Sequence, residues 1–245
     1  MTAFLDMIKE RILVLDGAMG TMLQDRGLKA GGCPEEMNLV APDVVAGIHR
    51  EYAEAGSDMV TTNSFGGSAP KLANYGLEGK VEEINTRAVE IARQAVGPDR
   101  LVAACIGPTG RFVEPVGDAG FDEMVDIFGQ QVRPFVKAGA DLFILETFLD
   151  IRELRAAAIA CREFSDLPII ATMTFDDGGR TVLGTPPDAA AVGLDPLVDV
   201  LGSNCGLGID GMADILTEMR SVTARPLIVQ ANAGLPVMIE GETVF

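Results

Sequence analysis

The sequence has no tryptophan, two tyrosines and a single histidine, so aromatic side chains cannot build most of its core. One histidine, His49, leaves almost no room for a Ser–His–Asp triad or a histidine-rich metal site. Basic residues are also scarce: 19 Lys and Arg against 36 Asp and Glu give a formal charge of −17. A phosphate backbone needs a basic face, so nucleic acid is excluded as the main partner. No apolar run reaches the roughly 18 residues that suggest a membrane span. The N-terminal stretch is interrupted by Asp6, Lys9, Glu10 and Arg11, unlike a signal peptide. The four cysteines, Cys33, Cys105, Cys161 and Cys205, contain no CxxC pair, which argues against a disulfide scaffold and for a reducing cytoplasm.

What is present is alternation. Short, near-continuous apolar runs occupy 12–16, 58–63, 101–107, 141–147, 168–175, 198–204 and 226–232. Such runs suit strands covered on both faces. Amphipathic stretches at 41–56, 77–97, 121–140, 150–164 and 208–222 read as the helices between them, and His49 falls in one as a structural residue. The segments 27–36, 115–124 and 185–196 are rich in Gly and Pro and read as connections. The fold class is therefore α/β, a single domain over 1–245. A closed (β/α)8 barrel needs one strand more than the seven runs, and an open doubly wound sheet would take seven. No GxGxxG follows any run, which weakens the dinucleotide-binding version of the open sheet.

Polar residues gather where the runs end: Asp16-Gly17, Thr62-Asn63, Gly107-Pro108-Thr109, Glu146-Thr147, Thr174-Phe175-Asp176, Asn204-Cys205 and Asn232-Ala233-Gly234. In a β/α barrel these ends share one face, where the active site is built. Asp16 and Asn63 are equally suited to capping the helices that follow. Glu146 closes the apolar run LFILE and needs a partner for its charge. Cys205, taken alone, has the ordinary alternative of a small buried residue. Cys33 belongs either near this face or to an exposed loop.

The strings LDGAMGT, TNSFG, IGPTG, LETF, MTFDDGGRTVLGT, GSNCGLG and ANAGLP occur in that order. Together they resemble the homocysteine S-methyltransferase family, and within it the homocysteine-binding domains of cobalamin-dependent methionine synthases. The resemblance runs through essentially the whole chain, PEEMNLVAPDVV and YGLEGKVEEIN included. It implies a TIM-type barrel with a zinc ion on three cysteine thiolates and an open position for the substrate thiol. Zinc stabilises a thiolate, the nucleophilic form of sulfur. Methylcobalamin on a separate module would donate the methyl group, and cobalamin- and folate-binding modules would be the partners.

Matched position by position, Cys205 is a zinc ligand, and Asp16, Gly17, Ala18, Glu146 and Asn232 hold the amino-acid end of homocysteine. Asn232 is also a candidate zinc ligand, while Asn63, Thr109 and Asp176 are candidate lining residues. The family's adjacent cysteine pair is not found before Phe245, and Cys33, Cys105 and Cys161 do not match it. The expectation is a barrel lacking its eighth β/α unit, with its first and seventh strand edges open, inactive by itself. Two other readings stand beside this one: a cobalamin-independent homocysteine S-methyltransferase using betaine or S-methylmethionine, and a non-catalytic amino-acid-binding or assembly module.

Overall fold

The computed structural model describes residues 3–232, together with the strand backbone at 237–239 and 242–244. Six strands form one parallel sheet in chain order: β1 (Met59–Thr61), β2 (Leu101–Ile106), β3 (Leu142–Phe148), β4 (Ile169–Met173), β5 (Val200–Asn204) and β6 (Leu227–Gln230). The helices are α1 (Ala3–Glu10), α2 (Met19–Asp25), α3 (Met37–Val40), α4 (Pro42–Ala55), α5 (Ala69–Ala73), α6 (Val81–Val96), α7 (Phe121–Ala138), α8 (Ile151–Phe164), α9 (Pro187–Leu194) and α10 (Ile209–Arg220). This is the curled, parallel part of a TIM-type barrel.

Strand parity divides the core in two. On β3, Phe143 and Leu145 pack outward with Phe128, Phe135 and Cys161 of the helical layer. Their neighbours Leu142 and Ile144 turn inward to meet Ala103, Cys105, Ile170 and Val200, with Phe4 of α1 among them. Alternate Cβ atoms of a strand point to opposite faces, so a strand buried on both sides reads as an unbroken apolar run. Helices end where the left-handed region is entered, at Gly56 (φ 112°) after α4 and Gly139 (φ 86°) after α7.

An aspartate just before a strand recurs as a fastening. Asp58 accepts from the Val14 amide (2.8 Å), Asp141 from Val102 (2.7 Å) and Asp199 from Ile169 (2.9 Å). Each also pairs with an arginine of the preceding unit: Arg11, Arg93 and Arg162. The carboxylate thus satisfies an amide near the start of the neighbouring strand or run and neutralises its own charge.

Two expectations need correction. The run 12–16 is not a full strand: it meets β1 through a single parallel bridge, Leu15 with Met59, and leaves Ile12 90% exposed. With a partner on one side only, its pairing stays short. The segment 185–196 is not all connection, because Pro187 starts α9; proline fits the first helical turn, where its missing N–H costs nothing. Val237–Ile239 (β7) and Glu242–Val244 (β8) form a small antiparallel pair outside the parallel sheet. Among the described residues, no strand joins β6 to the run 12–16. A mostly apolar cleft of about 400 Å³ lies there, lined by Phe4, Ile8, Leu13, Met59, Ile170 and Val200 among others. It faces the amino-terminal ends of the strands, opposite the polar residues considered next.

Candidate functional site at the carboxyl ends of the strands

Parity also explains which side chains meet at the other end. Cys105 lies on the inner face of β2 and is paired in register with Ile144 of β3. Glu146, two residues beyond Ile144, is on that same inner face. The Cys105 thiol donates to Glu146 Oε1 at 2.8 Å. Burial raises the Glu146 pKa, with the Cys105 hydrogen bond opposing the rise. Burial and the neighbouring carboxylate raise the Cys105 thiol well above its ordinary range. Among the described residues, Glu146 has no basic side chain as an ion-pair partner.

A second carboxylate stands close by. Asp16 is buried, and its Oδ2 accepts from the Thr61 amide at 2.9 Å while the Thr61 hydroxyl reaches Oδ1 at 3.1 Å. Burial pushes its pKa up to about 7 against these hydrogen bonds, and the charge of Glu146 adds to the rise. Gly17 follows because a Cβ there would sit 2.9 Å from the Tyr52 ring. The Tyr52 hydroxyl donates to the carbonyl of Ala18 at 2.9 Å, holding the chain over Asp16.

Cys205 caps β5. It is the partly exposed member of the four free cysteines, the other three being buried. The exposed-loop reading of Cys33 is thereby corrected: its thiol is buried against Glu35, to which it donates at 3.3 Å. Glu35 also accepts from the Gly66 amide at 2.6 Å, docking loop 27–36 beside β1. The Cys205 pKa is raised by burial, lowered by hydrogen bonding from Thr147 and raised again by the charge of Glu146. Cys205 (φ 58°) and Thr147 (φ 64°) are the two non-glycine residues with positive φ among those described. The amide side chain of Asn204 links them, donating to Thr147 Oγ1 at 2.7 Å and to Cys205 Sγ at 3.4 Å.

The remaining candidates are placed as follows. Asn232 lies two residues beyond β6, partly buried, its amide donating to the Leu207 carbonyl at 3.3 Å. Asn63 is committed to the neighbouring loop, donating to the Pro34 carbonyl (2.7 Å) and to Asn38 Oδ1 (3.0 Å). Thr109 donates through its hydroxyl to the buried Glu153 at 2.6 Å and through its amide at 2.7 Å. Burial pushes Glu153 up to about 7. Asp176 closes a turn, accepting from the amides of Gly178 and Arg180. Cys105 and Glu153 are the participants that sequence reasoning passed over, and Asn204 was placed at a run end without a role.

The described residues hold no group of three or more His, Cys, Asp or Glu side chains able to bind a metal ion. Cys205 alone does not make a three-thiolate site. The described donor set therefore does not fit zinc by itself, and the chemistry below is derived from the chain's own groups.

Comparison with known proteins bears on the same residues. The family model described as Homocysteine S-methyltransferase matches residues 13–244. The methionine synthase of Mycobacterium leprae is 34% identical over 257 residues, covering 97% of this chain and 21% of that protein. That of Mycobacterium tuberculosis gives the same identity and coverage. The chain thus spans about a fifth of the length of these relatives. Among solved structures, the oxidized form of the homocysteine methyltransferase MmuM from Escherichia coli superposes with a TM-score of 0.82 at 26% identity, covering 93% of this chain and 85% of that one. The metallated form of the same enzyme gives a TM-score of 0.83 at 24% identity, covering 94% and 86%.

Proposed function

The chain belongs to the homocysteine S-methyltransferase family, and from that premise we propose that its strand-end pocket binds homocysteine for S-methylation, as the homocysteine-binding module of a methionine synthase. The observation that carries this reading is the uncompensated pair Asp16 and Glu146. Two enclosed carboxylates, the charge of Glu146 raising the proton affinity of Asp16, with no cation paired to either among the described residues, favour a ligand that brings positive charge. An α-ammonium group does so. Glu146 would accept from it through the oxygen not occupied by Cys105, and the backbone at Gly17 and Ala18 would meet the remaining polar atoms of the amino acid.

The reaction is displacement at carbon. The homocysteine thiol gives up its proton to solvent water, and the sulfur lone pair forms the new S–CH3 bond. The bond from methyl to donor breaks, leaving its electron pair on the donor. Methylcobalamin as donor and cobalamin- and folate-binding modules as partners belong to the same proposal; zinc would hold the thiolate there only with ligands added to the described set. The long unmatched remainder of the relatives supports separate modules. Cys205 is the described residue with the chemistry to ligate zinc. Four free thiols suit a cytoplasmic setting.

Calorimetry with homocysteine tests the reading, with Glu146→Gln as the comparison. A charge-assisted hydrogen bond is worth about 1.5–3 kcal/mol, so the variant is expected to bind roughly 10- to 100-fold more weakly. Absence of homocysteine binding by the wild type, or equal affinity in the variant, sinks the proposal. Transfer assays with methylcobalamin, betaine and S-methylmethionine in parallel then identify the donor.

A further inference from the structure

Asn204 has every hydrogen-bonding position of its side-chain amide engaged. Its Oδ1 accepts from the Thr147 amide at 2.9 Å and from the Thr172 hydroxyl at 2.7 Å. Its Nδ2 donates to Thr147 Oγ1 at 2.7 Å and to Cys205 Sγ at 3.4 Å. The residue is buried, so these bonds are made away from competing water. They join the ends of β3, β4 and β5. The Cys205 amide extends the tie to β6 by donating to the Gln230 carbonyl at 3.1 Å.

The backbone conformations at the two ends of this tie are costly ones. A residue bearing a Cβ disfavours the left-handed region, and a β-branched residue such as threonine does so most. Thr147 and Cys205 are nevertheless both there, and both are partners of Asn204. Strain of this kind persists only where the surroundings over-determine it. Here the over-determination comes from one side chain. Thr147 directly follows Glu146, so whatever holds the turn at Thr147 also aims the Glu146 carboxylate.

We propose that Asn204 is a positioning residue: its amide locks Thr147 and Cys205 in left-handed conformations and so fixes the Glu146 carboxylate and the Cys205 thiol relative to one another. The inference rests on the homocysteine-binding reading, in which those groups meet opposite ends of one small amino acid. A pocket gripping both ends requires a set spacing, because misplacement of either end forfeits alignment as well as contact. Asn204 supplies that spacing without itself touching the ligand.

The test uses the 245-residue chain and two readouts. The first is iodoacetamide labelling of each cysteine at one pH, followed by peptide mass spectrometry, in wild type, Asn204→Ala and Thr172→Val. Asn204→Ala is expected to change the Cys205 labelling rate about tenfold, with Cys33, Cys105 and Cys161 staying protected. Thr172→Val removes one of the four bonds and should change it about threefold. Acceleration of all four cysteines together would mean general loosening of the fold and overturns the proposal, as does an unchanged Cys205 rate. Should Asn204→Ala fail to fold, Thr172→Val decides by the same criteria. The second readout is homocysteine affinity by calorimetry, expected to fall about tenfold in Asn204→Ala. Equal affinity in wild type and variant overturns the proposal. A wild type that binds no homocysteine overturns the functional reading instead, and with it the pocket role of Asn204, while the labelling still decides whether the clamp exists.

Discussion

Replacing Asp16 with asparagine should make the protein more stable above neutral pH and less able to bind homocysteine. In the folded chain the Asp16 carboxyl titrates at about 7, whereas an unperturbed aspartate titrates at 3.8. Below pH 4 the group is protonated in both folded and unfolded states and no difference arises. Between pH 4 and 7 the unfolded chain has released the proton while the folded chain retains it. Stability from this group therefore declines as pH rises through that window and is lost above pH 7. The raised pKa amounts to about 4 kcal/mol over the whole window, of which about 3 kcal/mol falls between pH 5 and pH 8. Asparagine can still accept from the Thr61 amide and offer its own amide to the Thr61 hydroxyl, so the local bonds survive. What disappears is the cost of a buried charge.

Urea unfolding of both proteins at pH 5, 6, 7 and 8 reads the difference. With a slope of roughly 3 kcal/mol per molar, the midpoint of the asparagine variant should gain about 1 M on wild type between pH 5 and pH 8. Comparing two chains that differ at one position cancels the other titrating groups, notably Glu153, which acts in the same direction, and His49, which acts oppositely. A midpoint gap that does not change with pH refutes the reasoning, because it would place the Asp16 carboxyl at an ordinary pKa. Weaker homocysteine binding in the more stable variant would identify the destabilising charge as one retained for the ligand.

Other outcomes follow from single contacts. His49 is fully buried, burial lowers its pKa to about 4, and neither ring nitrogen has a partner among the described residues. His49→Leu should raise stability at pH 7 by about 1 kcal/mol by removing an unsatisfied polar group. It should also abolish roughly 3 kcal/mol of acid destabilisation between pH 6.5 and 4, where the unfolded histidine binds a proton that the folded one refuses; paired urea titrations decide. Gly202→Ala places a Cβ 2.0 Å from the Ile228 carbonyl oxygen across the β5–β6 pairing. A loss of about 3 kcal/mol is expected, and an unchanged thermal midpoint would contradict the close approach. Cys105→Ser keeps a donor to Glu146 whereas Cys105→Ala does not; homocysteine affinity should hold in the first and fall several-fold in the second.

Much of the fold could be read from the order of residues because parallel strands covered on both faces leave unbroken apolar runs, and the runs 141–147 and 198–204 match β3 and β5. Edges were harder. ILVLD has the composition of a strand but pairs on one side alone, and composition does not count partners. The candidate site was legible to the extent that polar residues end apolar runs, which placed Asp16, Glu146 and Asn204-Cys205 together, while the family resemblance gave Cys205 its role. Cys105 was passed over because it sits inside a run, although its parity with Ala103 marked it as inward-facing. Glu153 had a comparable signal, sharing a helical face with the buried Ala157 and Ala160. The role of Asn204 had none. Its partners Thr147 and Thr172 are 57 and 32 residues away, and no local pattern reports such contacts.

The contrast between the partly exposed aspartates at the strand starts and the enclosed carboxylates at the strand ends sharpens the functional argument. Asp58, Asp141 and Asp199 each meet an arginine and a backbone amide, so their charges are cancelled within the protein. A chain with 19 basic residues against 36 acidic ones cannot do this everywhere, yet it does so at three alternate strand starts, those of β1, β3 and β5. At the other ends of the strands Asp16 receives a threonine and Glu146 a cysteine, both neutral donors that hold a carboxylate in place without cancelling its charge. That difference predicts ligand selectivity. A ligand with an ammonium group relieves both carboxylates, and one carrying only a thiol and a carboxylate adds a third negative charge. Homocysteine should therefore bind the wild type while 3-mercaptopropionate does not, and Glu146→Gln should narrow the gap between them. Equal binding of the two ligands by the wild type would show that the acidic pair serves the fold and not the substrate.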